Sequence, residues 1–175
     1  MSRAQTKHKT MEIPFHRPYI TEDEISEVLD TVRSGWLTMG PRTVRFENEF
    51  SAYTGASHSV AVSSGTAALH LALRAAGLEA GDEVIVPAMT FTATAEVVCY
   101  FGGRPVLVDV ERETGNMSVQ AAERALTPRT RAIIPVHYGS QPCDMDGVMS
   151  LAQSRNLRVI EDAAHSLPAS FGGKQ

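Results

Sequence analysis

The stretch Arg158-Val-Ile-Glu-Asp-Ala-Ala-His165 ends a short apolar run in two carboxylates and then reaches a histidine through two alanines. A parallel strand is buried on both faces and therefore reads as a continuous apolar run. Open α/β sheets bind ligands beyond the carboxyl ends of such strands. We therefore expect Asp162 to face a ligand, although a carboxylate at this position could also be a helix cap or a salt-bridge partner.

Apolar runs of the same kind recur along the chain and alternate with helical patterns. The runs cover residues 59–62, 84–86, 106–108, 132–136 and 159–160. Helices are predicted over residues 22–34, about 44–53, and roughly 66–76, 92–100, 119–126 and 145–156. This alternation predicts an α/β fold with a mostly parallel sheet and helices on both of its faces.

The two ends of the chain read differently from this repeating pattern. Residues 1–12 are polar and basic before the apolar pattern begins, and we predict a disordered tail there. Residues 13–175 form one incomplete domain in this interpretation. Ala169-Ser-Phe-Gly-Gly-Lys-Gln175 is typical of a strand, a Gly-Gly turn and the first residues of a returning strand, which predicts that the chain is part of a longer protein.

Composition excludes several classes of function. The 175 residues are 43% hydrophobic and 21% charged, as expected of a globular protein. The net charge of -4 gives no basic face for nucleic acid, and no apolar run approaches the roughly 20 residues that cross a bilayer. Cys99 and Cys143, without a secretory signal, are expected to be reduced thiols in a cytoplasmic protein.

Val62-Ser-Ser-Gly-Thr-Ala-Ala68 resembles an anion cradle at the start of a helix. Gly65 lets a ligand approach the backbone closely, and free N–H groups at a helix N-terminus attract phosphate. The hydroxyls of Ser64 and Thr66 can donate further hydrogen bonds, although Ser64 could equally serve only as an N-cap. The stretch is neither G-x-G-x-x-G nor a Walker loop, which disfavours a dinucleotide or a nucleoside triphosphate.

Phe91 follows the 84–86 run, at the same predicted edge of the sheet as the cradle. Its ring could stack on a flat ligand or lie in the core. A phosphate cradle, a stacking ring and the strand-end carboxylate Asp162 together fit a phosphorylated aromatic cofactor with a basic ring nitrogen.

Longer motifs make a resemblance specific. Ser63-Ser-Gly-Thr-Ala-Ala-Leu69, Pro87-Ala-Met-Thr-Phe91, Pro135-Val-His-Tyr-Gly139 and Glu161-Asp-Ala-Ala-His165 resemble the DegT/DnrJ/StrS aminotransferases, as do Gly35-Trp-Leu-Thr-Met-Gly-Pro41 and Gln141-Pro-Cys-Asp-Met-Asp146. The resemblance implies the amino-terminal part of a fold type I large domain that binds pyridoxal 5'-phosphate. It also implies a homodimer that transfers an amino group, commonly from glutamate, to a nucleotide-linked keto sugar.

The resemblance also implies roles for single residues. Ser64, Gly65 and Thr66 would hold the cofactor phosphate, and Phe91 would pack on the pyridine ring. Asp162 would bind the ring nitrogen and keep it protonated. His165 would lie near the phenolic oxygen, Thr38 near the substrate, and His137 would bind backbone groups below the site.

The lysine that such enzymes need for a Schiff base with the cofactor has no credible counterpart in this sequence. The three lysines are Lys7, Lys9 and Lys174, two in the polar tail and one after the Gly-Gly turn. In the resembled family the lysine follows the strand-end aspartate by two to three dozen residues, beyond Gln175. We therefore predict that the chain alone is inactive, and its sequence does not separate aminotransferases from family dehydratases, which carry histidine there.

Three other interpretations remain open from the residues. The chain could be a module that binds cofactor or a partner without catalysis. A hydrolase triad of Ser63 or Ser64 with Asp162 and His165 lacks a G-x-S-x-G elbow. A metal site built from His137, Cys143, Asp144 and Asp146 lacks a recognised ligand spacing.

Overall fold

A computed structural model of the chain describes Pro14 and residues 17–173. The predicted disordered tail at residues 1–12 and the predicted returning strand at residues 174–175 lie outside the described residues. The chain divides into two compact units, of which the first ends at Arg45 and the second begins at Phe46.

The first unit contains helix α1 (Glu22–Ser34) and the start of helix α2 (Pro41–Thr54), which continues into the second unit. Thr21 and Glu24 form a capping box at the start of α1, and Gly35, with a φ of 71°, ends the helix in the left-handed region. The prediction of a helix over residues 22–34 is confirmed. The indole Nε1–H of Trp36 donates to the Met39 carbonyl at 2.8 Å and closes the loop between the two helices.

The second unit contains a four-stranded parallel sheet in the order β2-β1-β3-β4. The strands are β1 (Glu83–Pro87), β2 (Arg104–Val108), β3 (Thr130–Ile133) and β4 (Arg158–Val159). Helix α3 (Gly65–Ala75) precedes β1, and the helices between the strands are α4 (Thr92–Cys99), α5 (Val119–Ala125) and α6 (Met145–Arg155), with a 3-10 turn at Tyr138–Ser140 before α6. The predicted α/β architecture is confirmed.

Helices cover both faces of this sheet. Because side chains alternate along a strand, Val84 and Val86 face one side of β1 while Ile85 faces the other. Leu69 and Leu73 of α3 and Val97 and Val98 of α4 pack on the first face. Ala122 of α5 and Val148, Leu151 and Ala152 of α6 pack on the second face.

The strand predicted at residues 59–62 is wrong. In the part of the chain that the structure describes, no strand runs alongside this segment, so its amides have no ladder partner. The Ala61 N–H instead donates to the Glu47 carboxylate at 2.8 Å, and Val60 is 76% exposed. The segment is therefore an extended connection into α3.

Residues 169–173 contain the described part of the hairpin that the sequence predicts. Gly172 and Gly173 both have positive φ values, 57° and 80°, as a tight two-residue turn requires. The segment 169–171 does not form the predicted strand, since only Phe171 makes a bridge.

No helix among the described residues is long and apolar enough to cross a membrane.

Candidate functional site

The amino end of α3 presents the predicted anion cradle. The Ser64 side chain caps the helix by accepting the Ala67 N–H at 3.1 Å, which satisfies the third helical amide. Of the residues that the structure describes, none accepts a hydrogen bond from the N–H of Gly65 or of Thr66. A Cβ built on Gly65 meets nothing within 4 Å, so the space beside Gly65 is open.

Capping and anion binding are compatible at Ser64. Its oxygen accepts from Ala67, while its hydroxyl proton remains available to a ligand. The first turn of a helix also carries the positive end of the peptide dipoles. The residues of this turn therefore fit a phosphate group.

Phe91 lies between the end of β1 and the start of α4. Its side chain is 77% exposed, so the ring is not part of the core. The residue occupies the N-cap position of α4 in extended conformation without a capping hydrogen bond. An exposed aromatic ring at this edge is free to stack on a flat ligand.

Asp162 lies beyond the end of β4 and is anchored through its backbone. Its N–H donates to the Pro135 carbonyl at 2.9 Å, and its own carbonyl accepts the His137 N–H at 3.2 Å. The carboxylate Oδ2 accepts the Thr94 hydroxyl at 2.8 Å and Oδ1 accepts the Ala164 N–H at 3.3 Å. The side chain is half-buried and is tied to the first turn of α4, three residues after Phe91.

The other two predicted residues are less closely tied to this site. His165 is exposed, and its carbonyl accepts the Ser140 hydroxyl at 2.6 Å, which joins the turn after β4 to the 138–140 turn. Thr38 is exposed in the first unit. The assignments of His165 to the phenolic oxygen and of Thr38 to the substrate stay predictions.

Glu161, next to Asp162, has partners of a different kind. Its carboxylate lies 3.0 Å from Nε2 of the buried His137, whose Nδ1 accepts the backbone N–H of Cys143 at 3.1 Å. His137 thus binds a backbone group, as the sequence predicts. Both Glu161 and His137 line a mainly apolar cavity of about 590 Å³, and none of the predicted cofactor residues does.

Hydrogen bonding with Cys143 and with the Glu161 carboxylate raises the pKa of the His137 imidazole to about 9, and burial acts in the opposite direction. The Glu161 carboxylate faces Nε2 at 3.0 Å, so it favours a proton on that nitrogen. Glu161 and His137 thus form a pair in the wall of the apolar cavity, with Glu161 next to Asp162 in the chain.

The sequence patterns do not identify two buried polar residues, Thr94 and Asn116. Thr94 is fully buried in α4 among Ala93, Val97 and Val98, and a hydroxyl at a buried helical position is the signal that could have identified it. Asn116 is 4% exposed, and its amide donates to the Gln141 and Pro142 carbonyls, both at 3.0 Å. No local pattern marks Asn116, because its partners are 25 and 26 residues away.

Comparison with known proteins identifies the family. The model of the DegT/DnrJ/EryC1/StrS aminotransferase family matches residues 18–175. The chain belongs to this family. The resemblance inferred from the motifs is confirmed.

Family relatives match nearly all of this chain. The spore coat polysaccharide biosynthesis protein SpsC of Bacillus subtilis is 47% identical over 159 residues, which cover 91% of this chain and 41% of SpsC. The aminotransferase of Psychrobacter cryohalolentis has a TM-score of 0.88 at 38% identity, over 93% of this chain and 42% of its own. The putative sugar aminotransferase Spr1654 of Streptococcus pneumoniae, solved in its PLP form, has a TM-score of 0.88 at 40% identity, over 94% of this chain and 46% of its own.

The relatives share the fold of this chain and are longer than it. The parallel α/β unit is that of the DegT/DnrJ/EryC1/StrS aminotransferases, and the chain spans less than half the length of the relatives that it matches. A PMP form of Spr1654 has also been solved, with a TM-score of 0.88 at 40% identity. The family therefore uses a pyridoxal-type cofactor.

Proposed function

We propose that this chain carries the phosphate-binding and ring-binding half of a pyridoxal phosphate site. The observation that supports this most directly is the free pair of amides at Gly65 and Thr66, at a helix start where the space beside Gly65 is open. Phe91 supplies an exposed ring and Asp162 an anchored carboxylate in the same unit. An anion cradle, a stacking ring and a carboxylate are the groups that a phosphorylated pyridine requires.

Each residue has one task in this proposal. The Gly65 and Thr66 amides and the Ser64 hydroxyl bind the phosphate, and Phe91 shields one face of the ring from water. Asp162 holds a proton on the ring nitrogen, and His165 lies near the phenolic oxygen. When bound, the cofactor supplies an electron sink for amino-group transfer.

The reaction of the whole protein is proposed from the family. We propose transfer of an amino group, commonly from glutamate, to a nucleotide-linked keto sugar, with Thr38 near that substrate. The proposed assembly is a homodimer in the cytoplasm. Sedimentation of the purified chain tests the assembly, and a monomer at all concentrations would contradict a homodimer formed by these residues alone.

We propose that the 175 residues by themselves do not catalyse this transfer. None of Lys7, Lys9 and Lys174 follows Asp162 at the distance of the family's Schiff-base lysine. With glutamate and pyridoxal phosphate, we expect no conversion to pyridoxamine phosphate, measured by the change in cofactor absorbance. Conversion by the wild-type chain that disappears in Asp162→Asn would overturn the proposal.

Two other functions share this site. The chain could act as a fragment that binds pyridoxal phosphate or a partner without catalysis, which the free cradle and the lysine positions favour. The longer protein could alternatively be a sugar dehydratase of the same family. The residue that aligns with the family's lysine decides between aminotransferase and dehydratase.

Binding is tested with pyridoxamine 5'-phosphate, because its amine forms no Schiff base with the surface lysines. Titration of the chain by calorimetry should give saturable binding at one site per chain. Pyridoxamine without phosphate is the control, and we expect it to bind at least about tenfold more weakly. Equal binding of the two compounds, or none by either, would count against the proposed site.

A further inference from the structure

Thr94 uses its hydroxyl in an unusual way for a threonine inside a helix. Thr31 and Thr54 donate their hydroxyls to the carbonyls four residues earlier, at 2.7 and 2.9 Å, which is the common local bond of a helical threonine. Thr94 instead contacts the Asp162 carboxylate at 2.8 Å, across 68 residues of sequence. Its hydroxyl is therefore committed to a group outside its own helix.

The direction of the hydrogen bonds around Thr94 follows from its single proton. A hydroxyl has one proton to donate, and the ionised carboxylate of Asp162 can only accept. Thr94 therefore donates to Asp162, and the bond of 2.7 Å between the Thr90 and Thr94 hydroxyls must be donated by Thr90. The two hydroxyls form a relay in which both protons point towards the carboxylate, and each bond polarises the next.

This relay holds the Asp162 carboxylate in one orientation. The bonds from Thr94 to Oδ2 and from the Ala164 N–H to Oδ1 fix the plane of the carboxylate. The first turn of α4, where Thr94 lies, also carries the positive end of the peptide dipoles and attracts the carboxylate. A carboxylate held in this way is oriented to accept a hydrogen bond from a protonated pyridine nitrogen.

We propose that Thr94, supported by Thr90, is a positioning residue that orients Asp162 towards the ring nitrogen of the cofactor. The inference rests on the proposed function, because the ring nitrogen is the partner that it gives to Asp162. Thr94 is fully buried behind the carboxylate and acts only through Asp162. Its role is separate from that of the phosphate cradle.

Thr94→Val tests this role, since valine keeps the shape of threonine and removes the hydroxyl. We expect the Kd for pyridoxamine 5'-phosphate to rise roughly tenfold in Thr94→Val, because Asp162 is then no longer held in the orientation that faces the ring nitrogen. Thr94→Ser keeps the hydroxyl and should stay within about twofold of wild type. Thr130→Val is the matched control, because Thr130 is also buried but bonds Thr127 and not Asp162.

A second readout separates positioning from a general loss of packing. With pyridoxamine 5'-phosphate labelled with 15N in the ring, the 15N shift reports the protonation of the ring nitrogen. We expect this nitrogen to lose its proton at lower pH in Thr94→Val than in wild type, Thr94→Ser or Thr130→Val. Thr90→Val should change the Kd and the pH at which the ring nitrogen loses its proton in the same directions as Thr94→Val, by a smaller factor. If Thr94→Val does not fold, Thr90→Val tests the positioning role in its place.

The outcomes distinguish this inference from the proposed function. If the wild-type chain does not bind pyridoxamine 5'-phosphate, the proposed site and the inference both fail. If the wild-type chain binds and folded Thr94→Val has the same Kd and the same 15N titration as wild type, only the positioning role is overturned. Thr90→Val gives the same test if Thr94→Val does not fold. Equal weakening in Thr94→Val and Thr130→Val would also overturn it, since packing alone would then explain the loss.

Discussion

The proposed phosphate site requires a small residue at Gly65, the first residue of α3. Gly65→Ala should weaken the binding of pyridoxamine 5'-phosphate by roughly tenfold, because the new methyl group takes up open space beside Gly65 into which the phosphate is proposed to bind. Since alanine is the better helix former, the melting temperature should stay the same or rise. Calorimetric titration and thermal unfolding measure the two effects. Unchanged binding would show that no ligand phosphate approaches this backbone.

Asp162 provides a test of charge at constant shape. In Asp162→Asn the side chain keeps its size and can still accept the Thr94 hydroxyl, but the negative charge is lost. We expect binding of pyridoxamine 5'-phosphate to fall about tenfold or more, with the bound ring nitrogen unprotonated at neutral pH. Glu161→Gln is the matched control, since Glu161 contacts His137. Equal effects of the two substitutions would contradict a separate role for Asp162.

For single residues, sequence motifs name candidates for the site but do not give their surroundings. Ser64, Gly65 and Asp162 follow from motifs within single loops. Whether Phe91 is core or exposed depends on what packs against it, and local spacing left that open. The Thr94 bond to Asp162 spans 68 residues, so only the folded chain reveals it.

Among the elements, strand β1 begins at Glu83, whose buried carboxylate is hydrogen-bonded to residues just before β3. Glu83 is 1% exposed and accepts from the Thr127 hydroxyl at 2.5 Å and from Arg129 Nη2 at 2.7 Å. These bonds to Thr127 and Arg129 lower the pKa of the Glu83 carboxyl below its ordinary 4.5, against the effect of burial. Glu83 therefore contributes stability as an anion.

Glu83→Gln should lower the free energy of unfolding by about 2 kcal/mol at neutral pH, because hydrogen bonds to a charged acceptor become neutral ones. A lowered folded-state pKa means that this contribution is complete above about pH 4.5 and is lost as the pH falls through the lower folded-state value. Urea unfolding of wild type and variant should therefore converge at acid pH. Glu123→Gln, on the exposed side of α5, should differ little from wild type, and a constant gap down to the lowest pH would contradict the role of Glu83.

Helices follow from sequence more closely than strands do. The helix over 22–34 is predicted to the residue, because its start and end are encoded locally by the Thr21–Glu24 capping box and by Gly35. A strand depends on a neighbour that sequence does not display. The apolar segment 59–62 fails as a strand for this reason, while the similar run at 84–86 lies between β2 and β3.

Across the whole chain, burial is concentrated in the second unit. Neither α1 nor α2 has a buried residue, whereas β1 is buried along its full length. We expect hydrogen exchange to be slowest at the amides of β1 and β3 and faster in α1, because local opening costs least where little apolar surface is buried. Mass spectrometry of peptic peptides measures this order. Equal protection of α1 and β1 would contradict it.

Trp36 is the only tryptophan of the chain, is 57% exposed and lies in the first unit, bonded to Met39. Intrinsic tryptophan emission therefore reports on the first unit, because the sheet contains no tryptophan. A denaturation curve followed by emission records the loop after α1, while circular dichroism records all the helices. Two midpoints that disagree would mean that the units melt separately, and a single emission curve would misstate the stability of the second unit.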